Sequence, residues 1–130
     1  MKKLLYIAIV FVLLSACSQG STPEEKAAQA AQEYFTLLKD NPEAFLDARV
    51  GADSLPAIYR AQMKKVYEQF VSEINEKHGG IREVRISDNV ARQDTVQGFT
   101  YAFLILCFND SIQEEIAVPM VEQDGLWLMK

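Results

Sequence analysis

Apolar residues recur at two different spacings along the chain, and the change of spacing divides the folded part into two halves. From Ala27 to Ile74 they recur every three or four residues, as on one face of an α-helix. A first helix is predicted from the Thr22-Pro23 cap to Leu38, where Asp40-Asn41-Pro42 ends it. A short helix carrying Phe45 and Leu46 and a long helix from Leu55, closed by His78-Gly79, follow.

From Ile81 onward the spacing becomes two, which is typical of β-strands. Turns at Asn109-Asp110-Ser111 and at Asp124-Gly125 separate the later strands. The pattern predicts a four-stranded antiparallel meander, with strands over 82–86, 96–108, 112–121 and 126–130. Helices followed by a meander indicate the α+β class.

The second predicted strand is apolar on both faces. One face carries Phe99, Tyr101, Phe103, Ile105 and Cys107, and the other carries Thr100, Ala102, Leu104, Leu106 and Phe108. Both faces therefore need cover, and three helices cover only one of them. A wrapping helix, strong curvature or a second subunit would cover the other, so homodimerisation through this apolar face is one hypothesis.

The first residues have the composition of a sorting signal. Lys2 and Lys3 precede an apolar run from Leu4 to Ala16. As a helix, those residues would extend only about 20 Å, short of the ~30 Å hydrocarbon core of a bilayer. A cleaved signal peptide is therefore a better interpretation than a transmembrane helix.

The residues after the run are more specific, because Leu14-Ser15-Ala16-Cys17 resembles the bacterial lipobox. The resemblance implies a diacylglyceryl group on the Cys17 sulfur, cleavage before Cys17, and a fatty acid such as palmitate on the new amino group. An ordinary secretory signal cut near Ala16 is the alternative. Ser18, in the position where Asp commonly retains lipoproteins in the inner membrane, implies an outer-membrane lipoprotein of a Gram-negative cell envelope.

This interpretation divides the chain into a signal peptide (1–16), a lipidated Cys with a short tether (17–22) and one domain (23–130). Over the whole chain the formal charge is −5. Residues 17–130 hold 11 Lys and Arg against 18 Asp and Glu, so the charge of the processed chain is −7. An acidic domain does not favour nucleic acid. One His and two Cys are too few for a structural zinc cluster, and no metal or cofactor is predicted.

The order of elements resembles the nuclear-transport-factor-2-like (NTF2-like) superfamily, and within it small bacterial lipoproteins of unknown function. The resemblance rests on Ala27–Leu38, Tyr59–Phe70, Phe99–Phe108 and Asp124-Gly125-Leu126-Trp127. It implies three helices packed on a curved sheet, giving a cone. In that superfamily the pocket serves catalysis in some members and ligand or protein binding in others, so fold analogy does not choose the function.

Catalytic chemistry of that fold pairs a carboxylate with a Tyr in an apolar cavity. Here the carboxylates fall in predicted turns or on strand surfaces, and Cys107 falls in a buried strand. We expect a helix-terminal role for His78 rather than a catalytic one. A cone-fold enzyme of the isomerase or hydrolase-like type is therefore the alternative to a non-enzymatic protein.

The candidate pocket residues are aromatic. They either line an apolar pocket or fill the core, and a small domain favours a filled core: Tyr67, Phe70, Tyr101, Phe103 and Trp127. The main hypothesis is a lipid-anchored envelope protein that binds a partner protein or a small apolar ligand.

Overall fold

The computed structural model describes residues 22–130, and the predictions for the signal peptide and for Cys17 lie outside them. Three helices precede the sheet: α1 (Pro23–Leu38), α2 (Pro42–Asp47) and α3 (Ala57–His78), with a short 3₁₀ helix (Ala52–Ser54) before α3. Four strands follow: β1 (Ile81–Asp94), β2 (Phe99–Phe108), β3 (Gln113–Gln123) and β4 (Leu126–Met129). They form one antiparallel sheet in chain order.

The predicted helix caps are present. Thr22 accepts a hydrogen bond from the Glu25 amide at 3.2 Å, and Asn41 accepts one from the Ala44 amide at 3.1 Å. Gly79 ends α3 in the left-handed conformation, at φ 75°. The predicted start of α3 at Leu55 is wrong. Leu55 precedes Pro56, which disfavours helical geometry, and it is extended at ψ 135°. The helix therefore begins at Ala57.

β1 is longer than predicted, because a large bulge interrupts its alternation. Ile86 pairs with Leu104 and Ala91 with Ala102, so four residues of β1 oppose the single residue Phe103. Within this bulge Val90 has φ 56°, which is uncommon for a β-branched residue. Extra residues in one strand increase its bend, and this bulge accounts for curvature of the sheet.

The core lies between α1 and one face of the sheet, the inner face. Ala27, Ala28 and Ala31 of α1 are fully buried, and small side chains let a helix approach a sheet closely. The inner face carries Ala102, Leu104 and other buried residues of β2, together with Val118 and Met120 of β3. The helices and the sheet therefore share one continuous hydrophobic core within residues 22–130.

The opposite face of the sheet, the outer face, is less covered. Phe99, Tyr101, Phe103 and Ile105 are half-buried on it, whereas the inner-face residues between them are buried. The core cluster of residues 22–130 contains Ala102, Leu104 and Leu106 of the inner face and none of these four outer-face residues. In the same part of the chain, no helix has the length and apolar character needed to cross a membrane.

Candidate functional site

The first half of α3 is fixed to the rest of the domain by polar and aromatic contacts. The Tyr67 ring packs edge-on against Phe45, with ring centroids 4.9 Å apart. Arg49 donates one hydrogen bond to the Tyr67 hydroxyl at 2.8 Å and another to the Lys130 carbonyl at 3.0 Å. Arg60 pairs with Asp47 at 2.5 Å. These contacts hold α3 to α2 and to the end of the sheet.

The last turn of α3 is fixed separately, at the β2–β3 turn. The His78 ring stacks on Phe108 with centroids 4.3 Å apart and planes within 7° of parallel. His78 Nδ1 lies 2.7 Å from Asp110 Oδ2, and an ionised carboxylate only accepts, so Nδ1 carries the proton. This hydrogen bond holds the pKa of Asp110 below its ordinary value. The Asn109 side chain donates to the Gly79 carbonyl at 2.6 Å.

Between these two attachments α3 stands away from the inner face and leaves a cleft of about 240 Å³. Its apolar walls come from both sides: Phe70 and Ile74 of α3, and Leu106, Phe108 and Ile116 of the sheet. The polar groups at the cleft are Glu73, Lys77, His78 and Glu114. Small-molecule pockets commonly have volumes of ~300–1,000 Å³, so this cleft has room for about one or two side chains.

The cleft continues onto an exposed apolar flank of α3. Tyr59, Val66 and Phe70 lie on one side of the helix at spacings of seven and four residues, and their exposed fractions are 46%, 54% and 40%. The sequence pattern predicts one stripe for these residues together with Leu55, Ile58, Met63, Tyr67 and Ile74. In the structure only Tyr67 and Ile74 are buried, because α3 contacts the domain along a narrower face.

The five pocket candidates lie on different surfaces. Only Phe70 lines the cleft. Tyr67 is buried between α3 and α2, and Trp127 packs on the core where its carbonyl accepts a hydrogen bond from the Tyr34 hydroxyl at 2.5 Å. Tyr101 and Phe103 lie on the outer face, across the sheet from the cleft. The structure therefore does not bring the five together.

Two other recesses are larger, and the described residues that border them belong to helices. One, of about 390 Å³, borders a single described helix over residues 32–37 of α1. The other, of about 350 Å³, lies between α2 and α3, where Arg60 is already engaged by Asp47 and by the Ala52 carbonyl. Unlike these two, the cleft between α3 and the sheet has apolar walls from both a helix and the sheet, with polar groups at its rim.

The groups that an isomerase-like site needs are separated in residues 22–130. The hydroxyls of Tyr34 and Tyr67 are each engaged by a structural partner. Burial, with a smaller effect from Glu33, raises the pKa of Tyr34, which makes it a weaker proton donor. Cys107 is buried beside the outer face, away from the cleft. No cluster of three or more His, Cys, Asp or Glu side chains in this part of the chain could hold a metal.

The His78–Asp110 pair is a feature that sequence reasoning missed. The two residues are 32 positions apart. The sequence pattern already explains each of them locally, His78 as the end of a helix and Asp110 as a turn residue. One inference from the order of elements was possible. If the helices pack on the meander, the turn that follows β2 must lie near the end of α3. Spacing alone does not give that proximity.

No protein-family model matches the sequence, and no curated protein matches it. A solved structure from Campylobacter jejuni, provisionally described as an NTF2-like transpeptidase, superposes with a TM-score of 0.61 at 12% identity. The alignment covers 84% of this chain and 97% of the other. The chain has the NTF2-like fold. This confirms the predicted α+β class, with three helices and a curved four-stranded antiparallel meander. At 12% identity the similarity shows a shared fold and does not show a shared activity. The transpeptidase description therefore applies to the Campylobacter protein alone.

Proposed function

We propose that this protein is a lipid-anchored, non-enzymatic binding protein of the bacterial cell envelope, and that its cleft receives an apolar segment of a partner protein. The observation that carries the proposal is the continuity between the cleft and the exposed flank of Tyr59, Val66 and Phe70. Contiguous exposed apolar surface on a small domain commonly marks an interaction site.

The size of the cleft and the acidic charge of the processed chain favour a protein segment over a small apolar ligand. At about 240 Å³ the cleft itself holds little, whereas the flank extends the apolar surface along α3. Tyr59 and Phe70 are 11 residues apart, about 16 Å along the helix. A segment with apolar side chains at two or three positions fits this length. Because the processed chain has a charge of −7, basic residues beside those side chains would be attracted.

The chemistry of the cleft favours binding over acyl transfer. Enzymes that transfer acyl groups through a covalent intermediate commonly use a Ser, Thr or Cys nucleophile. None of the nine described residues that line the cleft has a hydroxyl or a thiol. We therefore do not transfer the activity described for the Campylobacter protein to this chain.

A hydrolase-like alternative has one observation in its favour. His78 borders the cleft, and Asp110 orients its ring as in catalytic His–Asp pairs. Hydrolysis of p-nitrophenyl acetate above the rate of the His78→Ala variant would support that alternative.

The lipid anchor is supported by the sequence of residues 1–17 and by the start of α1. The helix begins at Pro23, so a tether of five residues from Ser18 to Thr22 separates it from the lipidated Cys. Five extended residues span about 16–18 Å. The cleft would thus be presented close to the membrane surface, to partners in or near it.

The test is a selection of random displayed peptides on residues 18–130. We expect enriched peptides to carry two or three apolar residues with neighbouring Lys or Arg. Their binding should weaken at least about tenfold on Phe70→Ser, as expected for an aromatic anchor. Val96→Ser is the matched control, because Val96 is 92% exposed but lies in the β1–β2 turn. Enriched peptides that bind the Phe70→Ser variant unchanged, or no enrichment, would contradict the proposal.

A further inference from the structure

The His78 ring covers an apolar surface that belongs to the wall of the cleft. His78 and Phe108 both line the cleft, and their rings stack with centroids 4.3 Å apart. With His78 in this position, Phe108 is only 1% exposed. If the His78 ring moved aside, the face of the Phe108 ring would become part of the open cleft.

The backbone after α3 is held independently of that ring. The Asn109 side chain donates a hydrogen bond to the Gly79 carbonyl at 2.6 Å, and the Asn109 amide donates one to the Gly80 carbonyl at 3.0 Å. Neither bond involves the imidazole. The ring can therefore leave Phe108 by rotation about its own side-chain bonds while the end of α3 stays in place.

The contacts that hold the ring are individually weak. The His78 and Asp110 side chains are 23% and 33% exposed, and a partly exposed pair of this kind contributes little to stability. The stack on Phe108 is the other contact of the ring. Asp110 keeps its position when the ring leaves, because its Oδ1 accepts a hydrogen bond from the Ile112 amide at 3.1 Å. The ring therefore has a fixed place to which it returns.

We propose that the His78 side chain is a latch on the cleft, which closes when the ring stacks on Phe108 and opens when the ring rotates away. The closed cleft measures about 240 Å³, below the ~300–1,000 Å³ that is common for small-molecule pockets. The open cleft gives an apolar side chain of the partner segment access to Phe108. This inference rests on the proposed binding function, because the latch regulates entry to the same cleft.

A latch that is closed most of the time lowers the apparent affinity for the partner, because only the open fraction of molecules binds. One aromatic stack and one exposed hydrogen bond leave the ring unstacked in roughly 3–20% of molecules. Removing the ring should then raise the affinity about five- to thirtyfold. The gain should lie in the association rate constant, since the bound state is open in both proteins.

The first measurement is nuclear magnetic resonance of His78 in residues 18–130, prepared without a histidine tag. His78 is the only His in the chain, so its ring protons are identified without ambiguity. We expect these protons to be shifted upfield by the Phe108 ring in the free protein. Saturation with an enriched peptide should remove that shift, because the ring leaves Phe108 in the bound state.

The second measurement is the kinetics of peptide binding by surface plasmon resonance. His78→Ala should raise the association rate constant about five- to thirtyfold, whereas His78→Phe keeps a ring on Phe108 and should show no such gain. Glu76→Ala is the matched control, because Glu76 lies in the same turn of α3, is exposed and does not line the cleft. It should leave the rate unchanged, and far-UV circular dichroism checks that every variant folds.

Two results overturn the latch and leave the proposed binding function standing. One is a His78 ring that stays stacked in the peptide complex, and the other is an affinity of His78→Ala no higher than that of the original protein. The proposed function fails by a different result, when no peptide is enriched or when Phe70→Ser binds the enriched peptides unchanged. In that case the latch has no partner to admit and falls with it.

Discussion

Removing the His78 ring should loosen the wall of the cleft, because His78 attaches the last turn of α3 to the sheet. His78→Ala removes the stack on Phe108, and an aromatic pair contributes about 0.5–1.5 kcal/mol beyond its buried area. Phe108, 1% exposed, gains contact with water at the same time. The exposed pair with Asp110 adds little. Together these effects predict a loss of about 1–2 kcal/mol in the free energy of unfolding, or roughly 4–10 °C in Tm.

The assay is urea denaturation at pH 7 followed by far-UV circular dichroism, together with hydrogen exchange of the amides in the last two turns of α3. His78→Phe is the matched control, because a Phe ring can keep the stack but has no bond to Asp110. We expect His78→Phe to lie within about 0.5 kcal/mol of the original protein and His78→Ala to exchange faster in those turns. Equal stability of the two variants would refute the reasoning that stacking attaches the helix.

Three further predictions concern a charge, a turn and the anchor. Because the pKa of Asp110 is lowered from 3.8 in the folded protein, its stabilisation is present above that pH and is lost as the pH falls through the folded-state pKa. The stability difference between the original protein and Asp110→Asn should therefore shrink as the pH falls from about 5 to below 3.8 in urea titrations, and a constant difference would argue against the pair. Ser111 has φ 72°, so Ser111→Gly should raise the free energy of unfolding by about 0.5–1 kcal/mol; a loss would contradict this. Cys17→Ser should abolish palmitate labelling and move the protein from the membrane to the soluble fraction, and continued membrane retention would count against the lipid anchor.

Features fixed by neighbouring residues could be predicted from the sequence. Thr22 and Asn41 cap helices because their side chains reach amides three residues ahead. Gly79 and the Asp124-Gly125 turn adopt positive φ for reasons local to the backbone. The order of helices and strands followed from the same kind of information, and this order is what the likeness in fold confirms.

Features that depend on residues distant in the sequence could not be predicted in this way. The bulge of β1 opposite Phe103 breaks the period-two pattern, so the alternation alone ended the strand at Ile86 instead of Asp94. The alternation also separated the two faces of β2 without saying which one the helices cover. The sequence pattern therefore groups Tyr101 and Phe103 with Phe70, which lies across the sheet.

The sizes of the side chains indicate how that choice of face could be made. The inner face of β2 carries Ala102, and the buried face of α1 carries Ala27, Ala28 and Ala31. Small residues on both surfaces allow a helix to lie close to a sheet, whereas the large rings of Phe99, Tyr101 and Phe103 would hold it away. The smaller set therefore belongs under the helix, and the aromatic set belongs on the outer face.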